Sequence, residues 1–155
     1  PVLSEILYDG AKAAGATVHK GGTYICIQGP QFSTKAESNL YRSLGFDVIG
    51  MTAGTEAKLA REAELCYASL SCSTDYDCWH TEHDNVTAEI ILANLFANVD
   101  VAKKSIREVV RRIPAKREGC DCPKALEKAF ATNLDLIPKE TKEKLNLIIG
   151  KYINK

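Results

Sequence analysis

The feature that most constrains this chain is the alternation of β-rich runs and helical runs in its first half. A helix is predicted from Val2 to about Ala14, because apolar residues recur at helical spacing and Gly15 can close the last turn. A strand is predicted from Thr23 to Gln28, since this β-rich run stops at the breaker pair Gly29-Pro30. The chain therefore begins as helix and then strand.

The same alternation continues downstream. Thr34 and Glu37 have the spacing of a capping box, in which a hydroxyl and a carboxylate satisfy free amides at a helix start. This second helix is predicted to run to Gly45. The elements that follow are a strand over 48–51, a helix over about 56–64 and a strand over about 65–73.

This order predicts an α/β layered domain with a largely parallel sheet. Ligands of such sheets collect outside the carboxyl ends of the strands. Three polar or aromatic segments occupy those positions, at 28–32, 50–52 and 74–79. We therefore expect one site built from all three.

The second half is predicted to be helical. An apolar stripe from Thr87 to about Arg112 predicts a long amphipathic helix that covers one face of the sheet. A loop over 114–123 leads to a short helix and then to a last helix over about 138–151. The sequence shows no internal repeat or linker, so residues 1–155 are predicted to form a single domain.

Charge and hydropathy exclude several classes of partner. Lys plus Arg and Asp plus Glu both total 20, so no global field attracts nucleic acid or an acidic membrane surface. The apolar runs are shorter than the ~20 residues that cross a bilayer. We expect a cytoplasmic protein with a small-molecule ligand. Because Pro1 already reads as the first turn of a helix, we also expect sequence upstream of it.

The six cysteines divide into two groups. Buried, reduced thiols are expected where cysteines lie in or beside apolar runs, because free cysteine is usually a core residue. Cys120 and Cys122 instead form a Cys-x-Cys, which lacks the two-residue gap of a zinc knuckle. A disulfide between Cys120 and Cys122, or simple burial, is therefore preferred to a metal. The expected core thiols are Cys26, Cys66, Cys72 and Cys78.

A second metal hypothesis concerns the polar loop after Trp79. His80 and His83, with Glu82 and Asp84, lie close together but lack a second ligand pair at recognised spacing. A solvated loop is favoured, and no metal site is predicted.

Asp75 and Asp77 flank Tyr76 and follow a predicted strand. Alternate side chains of an extended segment point the same way, so both carboxylates can face one pocket. Two close carboxylates do not ionise easily together, which favours one retaining a proton and serving as a general acid. The alternative is a solvated acidic loop, which Trp79 beside the pair disfavours.

Two further segments have both a binding and a structural interpretation. Phe32 offers a flat face for a planar ring and Ser33 a hydroxyl, although Phe32 can equally be the first core residue of the next helix. Thr52 stands where a hydroxyl and helix-start amides hold an anion, or where a threonine braces a turn.

Three segments of the sequence together resemble the methylthioadenosine phosphorylases of the purine nucleoside phosphorylase superfamily. They are GGTYICIQGPQFSTKAES, FDVIGMTAGTEAKLAREAELCYASLSCSTDYDCW and VTAEIILANL. The tail segments CDCPKAL and GKYINK are similar to an archaeal hexameric branch. The resemblance implies the C-terminal half of a nucleoside-phosphorylase-like αβα domain, ending in helices.

The resemblance implies a glycosyltransferase, specifically a pentosyltransferase, in purine salvage. Phosphate attacks the ribose C1′ of 5′-methylthioadenosine and releases adenine and 5-methylthioribose 1-phosphate, with no cofactor. Asp75 takes the position of the acid at purine N7, and Asp77 keeps that acid protonated and holds the adenine amino group.

The remaining site residues follow from the same resemblance. Phe32 and Ser33 match purine contacts, Met51 matches a ribose contact, and Thr52 matches a phosphate-binding hydroxyl. A carboxyl at Asp75 with Ser33 favours adenine over 6-oxopurines. The residues expected to line the base and methylthio region are Ile27, Ala88 and Ile91.

Two departures from the family pattern set the alternatives. Gly50 stands where many methylthioadenosine phosphorylases have Asn, and the alternative is therefore a broader purine nucleoside phosphorylase acting on adenosine, inosine or guanosine. The family's first half, with its phosphate loop, would lie upstream of Pro1, so this chain alone is expected to be inactive. It would act with that half in a trimer or hexamer, or serve only in assembly as a non-catalytic fragment.

Overall fold

The computed structural model describes residues 2–80 and 87–153, and it is an α/β arrangement that ends in helices, as predicted. The two strands form one parallel sheet. The helices are α1 Val2–Ala13, α2 Lys35–Ser43, α3 Ala53–Glu62, α4 Ala88–Arg112, α5 Lys139–Lys144 and α6 Asn146–Ile153. The strands are β1 Tyr24–Cys26 and β2 Val48–Gly50, and two 3₁₀ turns lie at Cys122–Lys124 and Leu134–Leu136.

The chain divides into two compact units. The first comprises Pro1–Gly54 and Ala68–Pro114, and the second comprises Thr55–Tyr67 and Ala115–Lys155. All the candidate purine, ribose and phosphate residues belong to the first unit.

Within the first unit, β1 and β2 pair in parallel with Ile25 opposite Ile49. Asp47 fixes the start of this pairing, because its Oδ2 accepts a 2.7 Å hydrogen bond from the backbone N–H of Thr23. Both strands therefore end at the same edge of the sheet, where the loops after Cys26 and Gly50 begin.

The capping box predicted for α2 is confirmed. The backbone N–H of Thr34 donates to Glu37 Oε2 at 2.7 Å, and Thr34 Oγ1 accepts from the backbone N–H of Glu37 at 3.3 Å. These bonds from the backbone and the hydroxyl of Thr34 lower the pKa of Glu37. Gly45 follows the helix at φ 78°, the left-handed conformation that a C-terminal glycine supplies.

Helix α4 packs on α1 and not mainly on the sheet, so the predicted cover over the sheet is wrong. The approach is close, since a Cβ on Gly10 of α1 would lie 2.5 Å from Val109 Cγ2. Val109 is buried accordingly, and Ala11 beside Gly10 is buried as well. The part of the α4 stripe around Val109 therefore packs on α1, while other stripe residues do not become buried. The large stripe residues that stay exposed are Ile90, Leu95, Ile106 and Val110.

The predicted strand over 65–73 is also wrong, because the described residues place this segment in no ladder. A strand needs a neighbour to receive its N–H and C=O groups. Here β1 and β2 pair with each other. The carbonyl of Ser73 instead accepts a 2.9 Å hydrogen bond from the side chain of Asn98 on α4.

The second unit is organised around Glu64, a buried carboxylate just after α3. Glu64 has φ 55° and 7% of its surface exposed, and its Oε1 accepts from the backbone N–H of Leu126 at 3.1 Å. Tyr152 and Lys151 of α6 also bind this carboxylate. Burial acts to raise the pKa of Glu64, but the bonds from Lys151, Tyr152 and Leu126 lower it to about 2.

The C-terminal helices are shorter than predicted. The single helix expected over 138–151 is broken at Leu145, which caps α5 before α6 begins at Asn146. The short helix expected after Pro123 is a 3₁₀ turn of three residues. No proline or glycine lies between Lys139 and Ile149, and the local signal for the break is Asn146, a residue type that commonly follows helix ends.

The prediction of four core thiols is wrong. Cys26, Cys72 and Cys78 are exposed and Cys66 is half-buried. Among the described residues, the buried hydrophobic ones are Ala11 and Val109 in the first unit and Ile149 in the second. Cysteines beside apolar runs therefore do not reach a core.

None of the helices within 2–80 and 87–153 has the combined length and apolar character that crossing a bilayer requires.

Candidate functional site

The two strand ends bring the loop after β1 against the residue after β2. The backbone N–H of Ile27 donates to the carbonyl of Gly50 at 2.8 Å, which extends the parallel pairing by one bond. Further along the loop, a Cβ on Gly29 would lie 2.7 Å from Met51 Sδ. The loop that carries Phe32 and the ribose candidate Met51 are therefore neighbours, as the strand order predicted.

Gly50 lies directly against the side chain of Tyr24. A Cβ at this position would lie 1.8 Å from the hydroxyl oxygen of Tyr24 and 2.7 Å from its ring. A larger residue, such as the Asn expected from the family pattern, needs Tyr24 to move. The departure at Gly50 is thus coupled to the tyrosine on the adjacent strand.

The acidic segment forms a tight turn in which the carboxylates bind backbone amides. Asp75 Oδ1 accepts from the N–H of Asp77 at 2.9 Å, while Oδ2 accepts from the hydroxyl of Thr74 at 2.7 Å. Asp77 Oδ1 accepts from the N–H of Cys78 at 2.8 Å. Asp77 has φ 60°, a left-handed conformation that Asp tolerates better than most residues.

Cys78 joins this turn to the Phe32 loop, a contact that the sequence did not indicate. Its thiol donates to the carbonyl of Ser33 at 3.5 Å. Partial desolvation of the sulfur and the negative charge of Asp77 raise the pKa of Cys78. The thiol therefore stays protonated at neutral pH, which disfavours a nucleophilic role and leaves it as a link between two site segments.

Phe32 and Ser33, the candidates for contact with the purine, both have side-chain groups that the described residues leave available. Phe32 is 70% exposed, so the prediction that it offers a free face agrees with its position better than a core role does. Ser33 Oγ is buried and has no hydrogen-bond partner within the described ranges. A buried hydroxyl without a partner is unfavourable, and a ligand atom would relieve it.

The burial and the element position of the other predicted residues are as follows. Thr52 is exposed and directly precedes the first residue of α3. Ile27 is half-buried after β1. Ala88 begins α4 and is exposed, and Ile91 one turn later is half-buried.

Two side chains of helix α4 bind the backbone just before Asp75. Asn94 donates to the carbonyl of Thr74, and Asn98, one turn later, donates to the carbonyl of Ser73. Sequence reasoning missed both residues. The signal was available, because two Asn residues four apart in an amphipathic helix lie on one face.

The aromatic group after the turn includes an arginine that the sequence did not point to. The guanidinium of Arg42 lies 3.6 Å from the ring centroid of Trp79, a cation–π geometry. His80 packs on Trp79 with 5.0 Å between ring centroids. His83, Glu82 and Asp84 lie outside the described residues.

Within the described part of the chain, one group of side chains has the donors and spacing for a metal ion. It consists of Cys66, Cys120 and Cys122 in the second unit. Cys120 and Cys122, expected to form a disulfide or to be buried, are half-buried free thiols in the structure.

A comparison with protein families matches the part of the chain that contains the candidate site. The model of the phosphorylase superfamily matches residues 1–113, which include every candidate purine, ribose and phosphate residue.

Similar proteins of known name are S-methyl-5′-thioadenosine phosphorylases. That of Geobacter sulfurreducens is 58% identical over 151 residues, which cover 97% of this chain and 52% of the relative. That of Koribacter versatilis is 55% identical over 150 residues, covering 97% of this chain and 51% of the relative. The chain thus spans about half the length of the relatives it matches.

Solved structures confirm the predicted fold. A methylthioadenosine phosphorylase from an antarctic soil metagenomic library matches 96% of this chain and 53% of its own, with a TM-score of 0.85 and 40% identity. A mutant adenosine/methylthioadenosine phosphorylase of Schistosoma mansoni in complex with adenine matches 88% and 54%, with a TM-score of 0.73 and 28% identity.

Proposed function

The chain belongs to the phosphorylase superfamily, and from that premise we propose that its intact protein cleaves 5′-methylthioadenosine with phosphate. The products are adenine and 5-methylthioribose 1-phosphate. The observation that carries the proposal is the meeting of three segments, since the Phe32 loop contacts Met51 on one side and the Cys78 turn on the other. The similarity to named phosphorylases over nearly all of this chain supports the same reaction.

In this reaction the purine is the leaving group, and it leaves more easily when it is protonated. A phosphate oxygen forms a bond to C1′ while the bond from C1′ to N9 breaks, and its electron pair moves into the purine ring. A proton given to N7 neutralises that charge and lowers the barrier. Asp75 is our candidate for the donor, because its carboxyl sits in the turn that Cys78 joins to the Phe32 loop.

Asp77 is the proposed partner of Asp75 in this turn. Following the resemblance, Asp77 is proposed to hold the adenine amino group. Its backbone N–H also donates to Asp75 Oδ1 and so orients the acid. The left-handed backbone conformation of Asp77 costs the folded state about 1 kcal/mol.

Phe32 and Ser33 are proposed to recognise the base. The exposed ring offers stacking, and the Ser33 hydroxyl, which has no partner among residues 2–80 and 87–153, offers one hydrogen bond to a ring edge. A carboxyl at Asp75 accepts from the 6-amino group while donating to N7, which favours adenine over hypoxanthine. Met51 is proposed to contact the ribose, and Thr52 the phosphate. The proposed apolar lining of the base and methylthio region consists of Ile27, Ala88 and Ile91.

The phosphate half of the site is proposed to come from outside this chain. The relatives are about twice as long as the region matched here. The exposed apolar side chains of α4, among them Phe96 and Ile106, support packing against further protein. We therefore propose that this chain alone is inactive and that the intact protein forms a trimer or hexamer.

A second substrate is favoured by one observation. The hydroxyl of Tyr24 occupies the space beside Gly50, since a Cβ at Gly50 would lie 1.8 Å from its oxygen, and this is the position where the family pattern has Asn. A hydroxyl there favours a 5′-hydroxyl on the substrate as well as a methylthio group. Adenosine is accordingly the alternative substrate.

The test is an assay of the intact protein with and without phosphate. We expect adenine release from 5′-methylthioadenosine that requires phosphate and yields one 5-methylthioribose 1-phosphate per adenine. Adenosine and inosine in parallel reactions measure selectivity, and adenosine should exceed inosine. Adenine release at the same rate without phosphate would show hydrolysis and contradict the proposal.

A further inference from the structure

Three cysteines from two distant parts of the chain meet in the second unit. The sulfur atoms of Cys66, Cys120 and Cys122 all lie within 4.8 Å of one another. Those of Cys66 and Cys120 are 3.4 Å apart. All three side chains are half-buried and are free thiols. The proposed phosphorolysis uses none of them.

These separations suit a metal that binds thiolates. A zinc–sulfur bond of about 2.3 Å in a tetrahedral site places neighbouring sulfurs roughly 3.8 Å apart. A disulfide uses two sulfur atoms and leaves the third unpaired, whereas a metal ion can use all three. The number of sulfurs that converge therefore favours coordination.

The surrounding bonds hold the two ligand segments together from both sides. Arg117, just before Cys120, donates to the backbone carbonyl of Glu64 at 3.0 Å. Leu126, just after Cys122, donates from its N–H to the Glu64 carboxylate at 3.1 Å. Glu64 itself precedes Cys66 by two residues. The ligands are thus positioned by a network that does not depend on the sulfurs.

Local turns fix the Cys-x-Cys as well. The backbone N–H of Lys124 donates to the carbonyl of Asp121 at 3.0 Å, and that of Ala125 donates to the carbonyl of Cys122 at 3.1 Å. The 3₁₀ turn that begins at Cys122 is therefore anchored at the ligand residue. Such preorganisation reduces the entropy that metal binding must overcome.

We propose that Cys66, Cys120 and Cys122 bind one thiophilic divalent cation of the zinc type through three thiolates, with water in the fourth position. Each thiol releases its proton to solvent as its bond to the metal forms, so binding one cation releases three protons. The site joins the end of α3 to the Cys-x-Cys loop and stabilises the second unit. It has no role in the proposed phosphorolysis.

The first experiment uses the intact wild-type protein, reduced and stripped of metal without oxygen. Zn²⁺ is added and accessible thiols are alkylated, followed by mass spectrometry of the peptides. We expect one Zn²⁺ per chain and protection of the three clustered cysteines. Cys72, which is exposed and outside the cluster, should be alkylated equally with and without Zn²⁺. Absence of binding, or no protection of the three, would overturn the proposal.

The second experiment replaces Zn²⁺ with Co²⁺ and compares four variants of the intact protein. Cys66→Ser, Cys120→Ser and Cys122→Ser should each weaken binding by at least about tenfold and reduce the sulfur-to-cobalt absorption. Cys72→Ser is the matched control and should bind as the wild type does. Equal absorption in all four variants would contradict the assignment. A second contradicting result combines two observations. Protein isolated without oxygen would contain a disulfide between two of the clustered cysteines, and it would still bind no cation after that disulfide is reduced.

Discussion

Glu64 and the Asp75 turn are two places where a carboxylate organises the backbone, and they differ in what they leave unsatisfied. Glu64 is 7% exposed and is bound by Leu126, Lys151 and Tyr152, which lower its pKa to about 2. The carboxylate of Asp75 is exposed and bonded within its own turn, to the hydroxyl of Thr74 and the amide of Asp77.

This difference distinguishes a carboxylate that stabilises the fold from one that is available to a ligand. A carboxylate whose partners surround it has no capacity for a ligand, and its loss affects folding. The Asp75 turn is joined through Cys78 to Ser33, whose hydroxyl finds no partner in the part of the chain that the structure describes, and Phe32 beside it is exposed. Loss of the Asp75 carboxyl should therefore affect the reaction. Each of the following variants tests one side of this comparison.

The largest effect is expected from Asp75→Asn in the intact protein. Asn retains an acceptor for the N–H of Asp77 but has no carboxyl proton to transfer. We expect kcat/KM for 5′-methylthioadenosine to fall by about 10²–10⁴-fold with little change in stability. Steady-state kinetics and thermal unfolding measure both.

Asp47→Asn is the matched control for that variant. Asp47 lies in the same unit and accepts a backbone N–H from Thr23, but it stands at the start of the sheet and away from the strand ends. Its kcat/KM should remain close to that of the wild type. If the two variants lose activity equally, the acid role of Asp75 is lost.

Phe32→Ala should weaken purine binding. Stacking of a base on an aromatic side chain contributes about 1–3 kcal/mol, so KM should rise by roughly tenfold or more. Leu136→Ala is the control, because Leu136 is 74% exposed, as Phe32 is 70% exposed, and it belongs to the second unit. An unchanged KM in Phe32→Ala would show that the ring does not contact the base.

Gly10→Ala tests the packing of α1 on α4. Alanine raises helix propensity by about 1 kcal/mol, but the added Cβ would meet Val109 Cγ2 at 2.5 Å and its backbone nitrogen at 3.1 Å. We expect the clash to dominate and to lower the free energy of unfolding by about 1–3 kcal/mol. Urea denaturation measures this, and Val109→Ala in the same chain should restore part of the loss. A stabilised Gly10→Ala would refute the close contact.

Glu64→Gln should give the smallest effect on activity and a moderate loss of thermal stability at neutral pH. The native pKa of Glu64, about 2, lies below its ordinary 4.5, so its ionisation stabilises the folded protein above pH 4.5. That contribution is lost as the pH falls from 4.5 towards 2. The difference in Tm between wild type and variant should therefore shrink over this range. A difference that grows on acidification would contradict the assignment.

Local features of the fold were readable from the sequence. The capping box at Thr34 and Glu37 depends on residues three apart, and the structure contains it as predicted. The start of α4 after Thr87 and the end of α1 before Gly15 are equally local. The placement of Gly29, in the loop that carries Phe32, against Met51 followed from parallel strands ending at one edge.

Features that depend on distant partners were not readable. The segment 65–73 has strand composition, but a strand also needs a neighbouring strand. Cys66 gave no sign of meeting Cys120, because only tertiary packing brings these residues together. The partners of Glu64 on α6 are likewise distant in sequence. Periodicity and capping signals contain no information about such contacts.

The most direct test of the central claim compares two substrates in Asp75→Asn. A nucleoside methylated at N7 already carries positive charge on the purine and needs no proton at that atom. Asp75→Asn should lose about 10²–10⁴-fold in kcat/KM on 5′-methylthioadenosine and less than about tenfold on its N7-methylated counterpart. An equal loss on both substrates would mean that Asp75 does not act by protonating N7.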